Sequence, residues 1–480
     1  MKTKTFFKIL PWLAAMALMQ VTFSACELID PTQVTNPQIT DDALRQNATG
    51  GTASLITGLR RQFSVALNSS HIIDVASDNY FNTASFISNN LDRPSSVTPF
   101  DLTLPGVYHS YLQLNALADF GLSTIIPNDK QATNDQRGEA YFYKGMALVI
   151  LAENFSSFPV VELGPLVTSR EAAMQAVEAF KTAFATTTNA NMRINCKLGL
   201  ARAYRLAGDK ANAEAEAKAA LALPNAANYV FFAQYDAATL TNTPYGRITT
   251  LTDLQPLPRL DFLDPKYTTN ATSIPALKSE EAHLIIAEVA LVNNDLAAAR
   301  ASMVNAVTVA RGRPTVTTFR DTDPRTNRPN DPNLKVKAGP TAPALSGLIQ
   351  RRGGTGGSLI TVYPVSGTSV TAADINAQTT ANALYKTLYL LRQEIFFLEG
   401  RRMSDLGIRL PVSIRQIQTN GNVRDGGPGT VTVVPAYIPN RGDDLDRFTV
   451  DTATATVTIA TDMNQLIADN INSVSPFLAR

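Results

Sequence analysis

The densest group of chemically capable residues is Arg392-Gln-Glu394-Ile-Phe-Phe-Leu-Glu399-Gly400-Arg401-Arg402-Met-Ser-Asp405-Leu406. Paired carboxylates can do general acid/base chemistry when one of them has a pKa raised toward neutrality. On a helix, Glu399, Arg402 and Asp405 stand three residues apart and share a face beside Phe396 and Phe397. Arginines in that position neutralise the acids and hold them ionised, so the expected role of Arg392, Glu394, Glu399, Gly400, Arg402 and Asp405 is structural. The rest of the catalytic inventory is thin. The chain has three histidines, His71, His109 and His283, with no His-Glu-x-x-His helix, no phosphate loop and no Gly-x-Ser-x-Gly elbow. Gly353, Gly354, Gly356 and Gly357 lack a strand-then-helix context and read as a flexible loop, and His283 reads as a packing residue. The sequence calls for no metal and no cofactor. A pair of acids acting on a glycosidic bond has no fixed spacing, so a glycoside hydrolase stays open as a minor class.

One residue near the N-terminus has a definite chemistry. Lys2, Lys4 and Lys8 precede an apolar stretch from Ile9 to about Phe23, followed by Ser24, Ala25 and Cys26. This is the layout of a secretory signal peptide over residues 1–25. It is too short to read as a spanning helix, which needs roughly 20 apolar residues. A cysteine at the first mature position is where a lipoprotein takes its acyl chains, and two or more chains give stable membrane anchoring. Phe23 stands where a leucine is usual. Losing residues 1–25 removes three lysines and no acids and leaves 39 basic against 41 acidic residues. That balance argues against a nucleic-acid partner. With Cys26 acylated, Cys196 has no disulfide partner. The only tryptophan, Trp12, lies in the signal segment.

The elements that must position these groups are mostly helical. Residues 26–41, with Pro31 and Pro37, read as an extended tether, and helical patterning starts near Asp42. From Ala140, the residues Tyr143, Ala147, Ile150 and Leu151 recur at helical spacing, in a helix that should end before Pro159. Between 191 and 225, Leu200, Ala201, Tyr204, Gly208, Ala213, Ala217, Ala220 and Leu221 follow tetratricopeptide spacing, with Gly208 and Asp209 at the turn. A second copy spans 278–310, where Asn294 replaces the turn glycine. Asn also tolerates the left-handed conformation. A third pair is expected around Arg137 and Glu171 to Ala185. Two stretches break the pattern, one from about Asp78 to Gly106 and one from Arg311 to about Thr380, and long irregular segments are where binding surfaces are built. The tail after Leu410, rich in Gly, Thr and Val, suits a small hairpin or two.

Taken in order, these segments resemble the SusD/RagB family of outer-membrane nutrient-uptake lipoproteins. The resemblance rests on Cys26-Glu-Leu-Ile-Asp30, on Arg137 to Val161, on His283-Leu-Ile-Ile-Ala-Glu288, and on Arg392-x-Glu394 with Glu399-Gly400-x-Arg402-x-x-Asp405-Leu406. It implies a mostly α fold: tetratricopeptide-like helix pairs forming a single SusD-like domain over 42–480, with long irregular loops and a little β-hairpin. It also implies a partner, a SusC-like TonB-dependent outer-membrane transporter, and an oligosaccharide or peptide ligand. Glu27 and Asp30 resemble the acidic signal for the outer face of the outer membrane. Two departures stand out: a divergent tail around Val434-Pro-Ala-Tyr-Ile-Pro-Asn440, and a mature chain without tryptophan, the ring on which glycan-binding members commonly stack sugars.

The expected ligand face is Asp78-Asn79-Tyr80-Phe81-Asn82, which mixes rings with amide and carboxylate groups, and Tyr108 as a second ring. Phe81 and Tyr108 fit core positions equally well. The function expected from this reading is capture of a nutrient and its delivery to the transporter, without catalysis. A periplasm-facing tetratricopeptide scaffold and a glycoside hydrolase are the alternatives.

Overall fold

The computed structural model describes residues 49–82, 90–250, 254–322, 328–353, 355–443 and 445–479. The expected signal segment, Cys26 and the tether lie outside them.

The described chain is mostly helical, with small sheets at its edges. It runs α1 (Gly51–Leu67), α2 (Ser70–Val75), β1 (Tyr80–Asn82), α3 (Leu104–Phe120), α4 (Asn134–Asn154), β2 (Ser157–Pro159), β3 (Leu166–Thr168), α5 (Ser169–Thr186), α6 (Ala190–Ala207) and α7 (Lys210–Leu221). It continues with β4 (Val230–Ala233), α8 (Thr243–Thr250), β5 (Leu254–Pro256), β6 (Ile274–Lys278), α9 (Ser279–Val292) and α10 (Leu296–Arg311). Next come β7 (Val316–Asp321), β8 (Lys335–Lys337), β9 (Ala344–Leu345), β10 (Ser358–Val362), α11 (Ala381–Ile395), α12 (Arg402–Asp405), α13 (Ile414–Thr419), β11 (Phe448–Asp451) and β12 (Thr456–Ile459). Among the described residues no helix is long and apolar enough to cross a membrane.

The three helix pairs expected from sequence are α4/α5, α6/α7 and α9/α10. They pack in series: α5 on α6, and α7 on α9. Local chemistry sets their ends. Thr133 with Gln136 and Thr168 with Glu171 form capping boxes at the starts of α4 and α5. Both repeat turns use one device. Gly208 (φ 77°) and Asn294 (φ 60°) take the left-handed conformation, and the Asp209 and Asp295 side chains then accept hydrogen bonds from the Asn212 and Ala298 amides. Small residues let the helices approach. Phe180 of α5 fills the slot left by Gly145 of α4 and Gly199 of α6, where an added Cβ would come within 2.6 and 2.7 Å of its ring.

The stretch from Arg311 to Thr380, expected to be irregular, carries short strands. β7 pairs with β10, while β8 lies between β9 and the parallel β12, whose hairpin with β11 is the one expected in the tail. Strands of two to six residues paired with distant segments leave no periodicity to read.

The arginine-rich motif needs a correction. It is not one helix: α11 stops at Ile395, the backbone turns through Leu398 (φ 58°) and Gly400 (φ 68°), and α12 restarts at Arg402. Glu399, Arg402 and Asp405 therefore do not share a face. Each reaches a different partner, and all three are buried. Glu399 takes Lys266 at 2.5 Å and Lys278 at 2.6 Å, Arg402 grips Asp78 through two bonds of 2.5 and 2.8 Å, and Asp405 accepts from Arg392 at 2.8 Å. Glu394, also buried, is held by Thr368 and Ser369.

Removing one member of such a pair strands the other charge in the interior. Arg402→Ala is expected to lower stability by about 3–5 kcal/mol in urea unfolding, with partial recovery in Arg402→Lys. A loss below about 1 kcal/mol would show that Asp78 does not depend on the pair.

Candidate functional site

The broken motif gives α2 its position. The carbonyls at the end of α11 have no helical partners, and cations and a phenol meet them instead: Lys278 Nζ donates to Ile395 at 2.6 Å, Lys266 Nζ to Phe397 at 2.8 Å, and the Tyr267 hydroxyl to Leu398 at 3.0 Å. The turn this fixes presses Gly400 against α2, 3.3 Å from the Ser70 Cα as judged from an added Cβ. The Gly400 amide donates to Asp74 at 2.8 Å, and Asn79 donates to the other Asp74 oxygen at 2.5 Å. Gln393 bridges Asp78 and Asn79. One side of α2 is thereby tied to the charged interior, and His71, Ile72 and Val75 face a cleft.

That cleft has a volume of about 1200 Å³ and is walled by α1, α2, α3, α8 and α13 together with the loops at 90–106 and 161–163. Its mouth carries exposed apolar residues, Phe100 (67% exposed), Leu102 (93%) and Leu163 (54%). Polar groups of varied kind converge among them: His71, His109, Gln113, Glu162, Arg247 and Arg415. Gln416, 5% exposed, lines the same wall with its Oε1 lacking a hydrogen-bond partner. His71 Nδ1 lies 2.9 Å from the Asn68 carbonyl. A carbonyl only accepts, so Nδ1 carries the proton and Nε2 is left as an acceptor. Burial, aided by Arg247, brings the His71 pKa down to about 4, which keeps the ring neutral. Burial and Arg415 also lower His109, against Glu162. Among the described residues no group of His, Cys, Asp or Glu is placed to hold a metal ion.

The residues expected to touch ligand lie elsewhere. Asp78, Asn79, Tyr80 and Tyr108 are at most 2% exposed. The Tyr80 hydroxyl donates to Asp264 at 2.6 Å and its ring stacks on Phe397, while the Tyr108 hydroxyl donates to the Pro159 carbonyl at 2.8 Å. Phe81 is half-buried, edge-on to Phe448, and Asn82 pairs through its backbone with Leu254. With their polar groups spent inside the protein, the Asp78, Asn79, Tyr80 and Tyr108 side chains support the site from beneath and offer no surface to a ligand. The irregular stretch they begin does reach the cleft through its later half, Asn90 to Gly106. Of the three histidines, His71 and His109 meet here and His283 lies half-buried on α9. Arg247, Arg415 and Gln416 carry no local signal, because chain separations of well over a hundred residues bring them to α2.

The neighbours His71 and Asp74 on α2 make a pH prediction with opposed signs. The native state binds a proton at His71 more weakly than the unfolded chain, so this residue's contribution is lost as pH falls from about 6.5 to about 4. Asp74 is pushed up from 3.8 to about 7, by burial above all, so its contribution weakens as pH rises through that window. The stability difference between wild type and His71→Gln is expected to shrink by up to about 3 kcal/mol on acidification, and that for Asp74→Asn to move the other way. Urea unfolding at a series of pH values checks both, and parallel curves for either variant count against its assignment.

No family model matches this sequence, and no curated protein matches it. Solved structures do resemble the fold. A candidate sugar-binding protein from Bacteroides vulgatus superposes with a TM-score of 0.52 at 16% identity, covering 79% of this chain and 98% of its own. A SusD superfamily protein from the same organism superposes with a TM-score of 0.50 at 14% identity, covering 88% of this chain and 98% of its own. With helix pairs in series, a broken helix holding α2 and a cleft walled by loops, this chain has the SusD fold.

Proposed function

We propose that the protein captures oligosaccharides in the cleft beside α2 and passes them to an outer-membrane transporter. One observation carries this reading: in about 1200 Å³, an exposed Phe100 ring lies among imidazole, amide, carboxylate and guanidinium groups. A sugar has an apolar face that packs on a ring and a rim of hydroxyls that both donate and accept. The neutral His71 accepts, the arginines donate, and Gln113 does both. Phe100 supplies the platform that tryptophan commonly supplies. The fold is shared with a candidate sugar-binding protein, which supports the same ligand class.

Four of the buried acids are engaged with arginines, as a scaffold requires. Arg202 holds Glu153, Arg401 holds Glu281, Arg313 holds Glu280 and Arg205 holds Glu288. Burial opposes the ionisation of Glu153 and Glu281, yet Arg202 and Arg401 bring Glu153 below its ordinary value and Arg401, with Arg202, brings Glu281 down to about 2. Such acids are poor proton donors at neutral pH. Capture without turnover is the function this arrangement serves.

The delivery half of the proposal rests on sequence. An acylated Cys26 followed by a polar tether would hold the domain at the outer membrane's exterior face, beside a SusC-like TonB-dependent transporter. The cleft is built from residues after 49, so Cys26→Ala is expected to bind ligand normally and to fail in uptake by whole cells. Unimpaired uptake would count directly against the tether.

Binding itself is tested by screening oligosaccharide and peptide arrays. Binding without release of shorter products is expected, and Phe100→Ala should weaken it about tenfold with no change in melting temperature. Product release would favour a hydrolase, and peptide-only binding would replace the ligand class.

A further inference from the structure

A second cleft, of about 680 Å³, opens between α1, α4, α6 and β4. The segment from Asp236 to Thr243 lies between it and the first. That segment is fastened to α1 by Arg61 donating to the Thr239 carbonyl at 3.1 Å, Asn68 donating to Thr241 at 3.1 Å, and the Thr243 amide donating to Asn68 at 3.0 Å.

The strand β4 borders this cleft along its length, from Val230 to Ala233. Its ladder with β6 is irregular here: Phe231 pairs with Leu277 and Phe232 with Pro275, so β6 carries an extra residue, Ala276, opposite them. Such irregularities recur beside binding sites. Phe231 packs against Phe142, with centroids 5.2 Å apart, and both Phe231 and Phe232 are partly buried. The Tyr229 ring joins them.

Polar groups complete the cleft. Asn195 is 2% exposed, lines it, and has an Oδ1 without a hydrogen-bond partner. At the rim, Arg60 and Glu139 are joined by two bonds of 2.6 and 2.8 Å, so each offers its remaining donors or lone pairs at a fixed orientation. An orphaned buried acceptor costs stability unless something donates to it, and a sugar hydroxyl does so while its ring stacks on Phe232.

We infer that this cleft is a second saccharide-binding site, in which Phe232 is the stacking platform and Asn195 accepts a ligand hydroxyl. The site takes a neutral sugar ring, since its two guanidiniums and two carboxylates balance and are already engaged: Arg60 with Glu139, Arg61 with the Thr239 carbonyl, and Asp135 with Thr187 and Thr188. It goes beyond the first cleft and does not depend on it.

The test uses the full chain in detergent, screened against an array of neutral oligosaccharides, with the tightest binder titrated by calorimetry. Two sites per chain are expected. Phe232→Ala should weaken one about tenfold, while Phe100→Ala weakens the other by as much. Phe232→Tyr, which keeps the ring, should restore binding, and thermal melting checks that both variants fold. One site per chain, abolished by Phe100→Ala and indifferent to Phe232→Ala, would overturn this inference and leave the first cleft standing. One site lost in Phe232→Ala and kept in Phe100→Ala would do the reverse. No binding to any saccharide would overturn both.

Discussion

The structure turns on a helix that has to stop. α11 ends in the interior, where its last carbonyls meet no water, and the chain must supply charge to close it. Lys266 and Lys278 do so, and Glu399 sits between their ammonium groups. Burial brings Lys278 down to about 8 despite the attraction of Glu399, a measure of how far these groups are removed from water. Because the turn is fixed, Gly400 can lie against α2 and Arg402 can reach Asp78. The floor of the first cleft is thus held by an ion network on its far side.

That network reaches the repeats as well. Arg205 of α6 binds Glu288 of α9 at 2.6 Å, and Glu288 also accepts from Tyr389 of α11 and from Ser475 near the end of the chain. Buried ion pairs contribute little net stability compared with apolar packing, but breaking one is costly. They fix which helix lies against which, and the alanine- and glycine-rich contacts between helices leave that choice open. Packing supplies the cohesion and the charges supply the register.

Both clefts sit where this scaffold gives way to non-helical chain. The first is walled by the loops at 90–106 and 161–163, the second by β4, whose ladder with β6 is irregular there. Rigid helices carry irregular segments whose side chains have fewer packing duties, which is why the exposed ring of Phe100 and the partly exposed ring of Phe232 are found there and the rings of Tyr80 and Tyr108 are not.

The sequence by itself determined what is local. Helix pairs at 191–225 and 278–310, the turns at Gly208 and Asn294 and the hairpin in the tail all follow from spacing and residue type, because helix period and turn chemistry act over a few residues. Tertiary structure decided the partners. Glu399 reads as the companion of Arg402 on one helix face, and the chain breaks between them and sends Glu399 to two lysines and Arg402 to Asp78, 324 residues away. The same non-local pairing withdrew Tyr80 and Asp78 from the surface and assembled the cleft from His71, Phe100, Arg247 and Arg415. Buried charges must be matched wherever the fold brings a counter-charge, and no spacing along the chain records that distance.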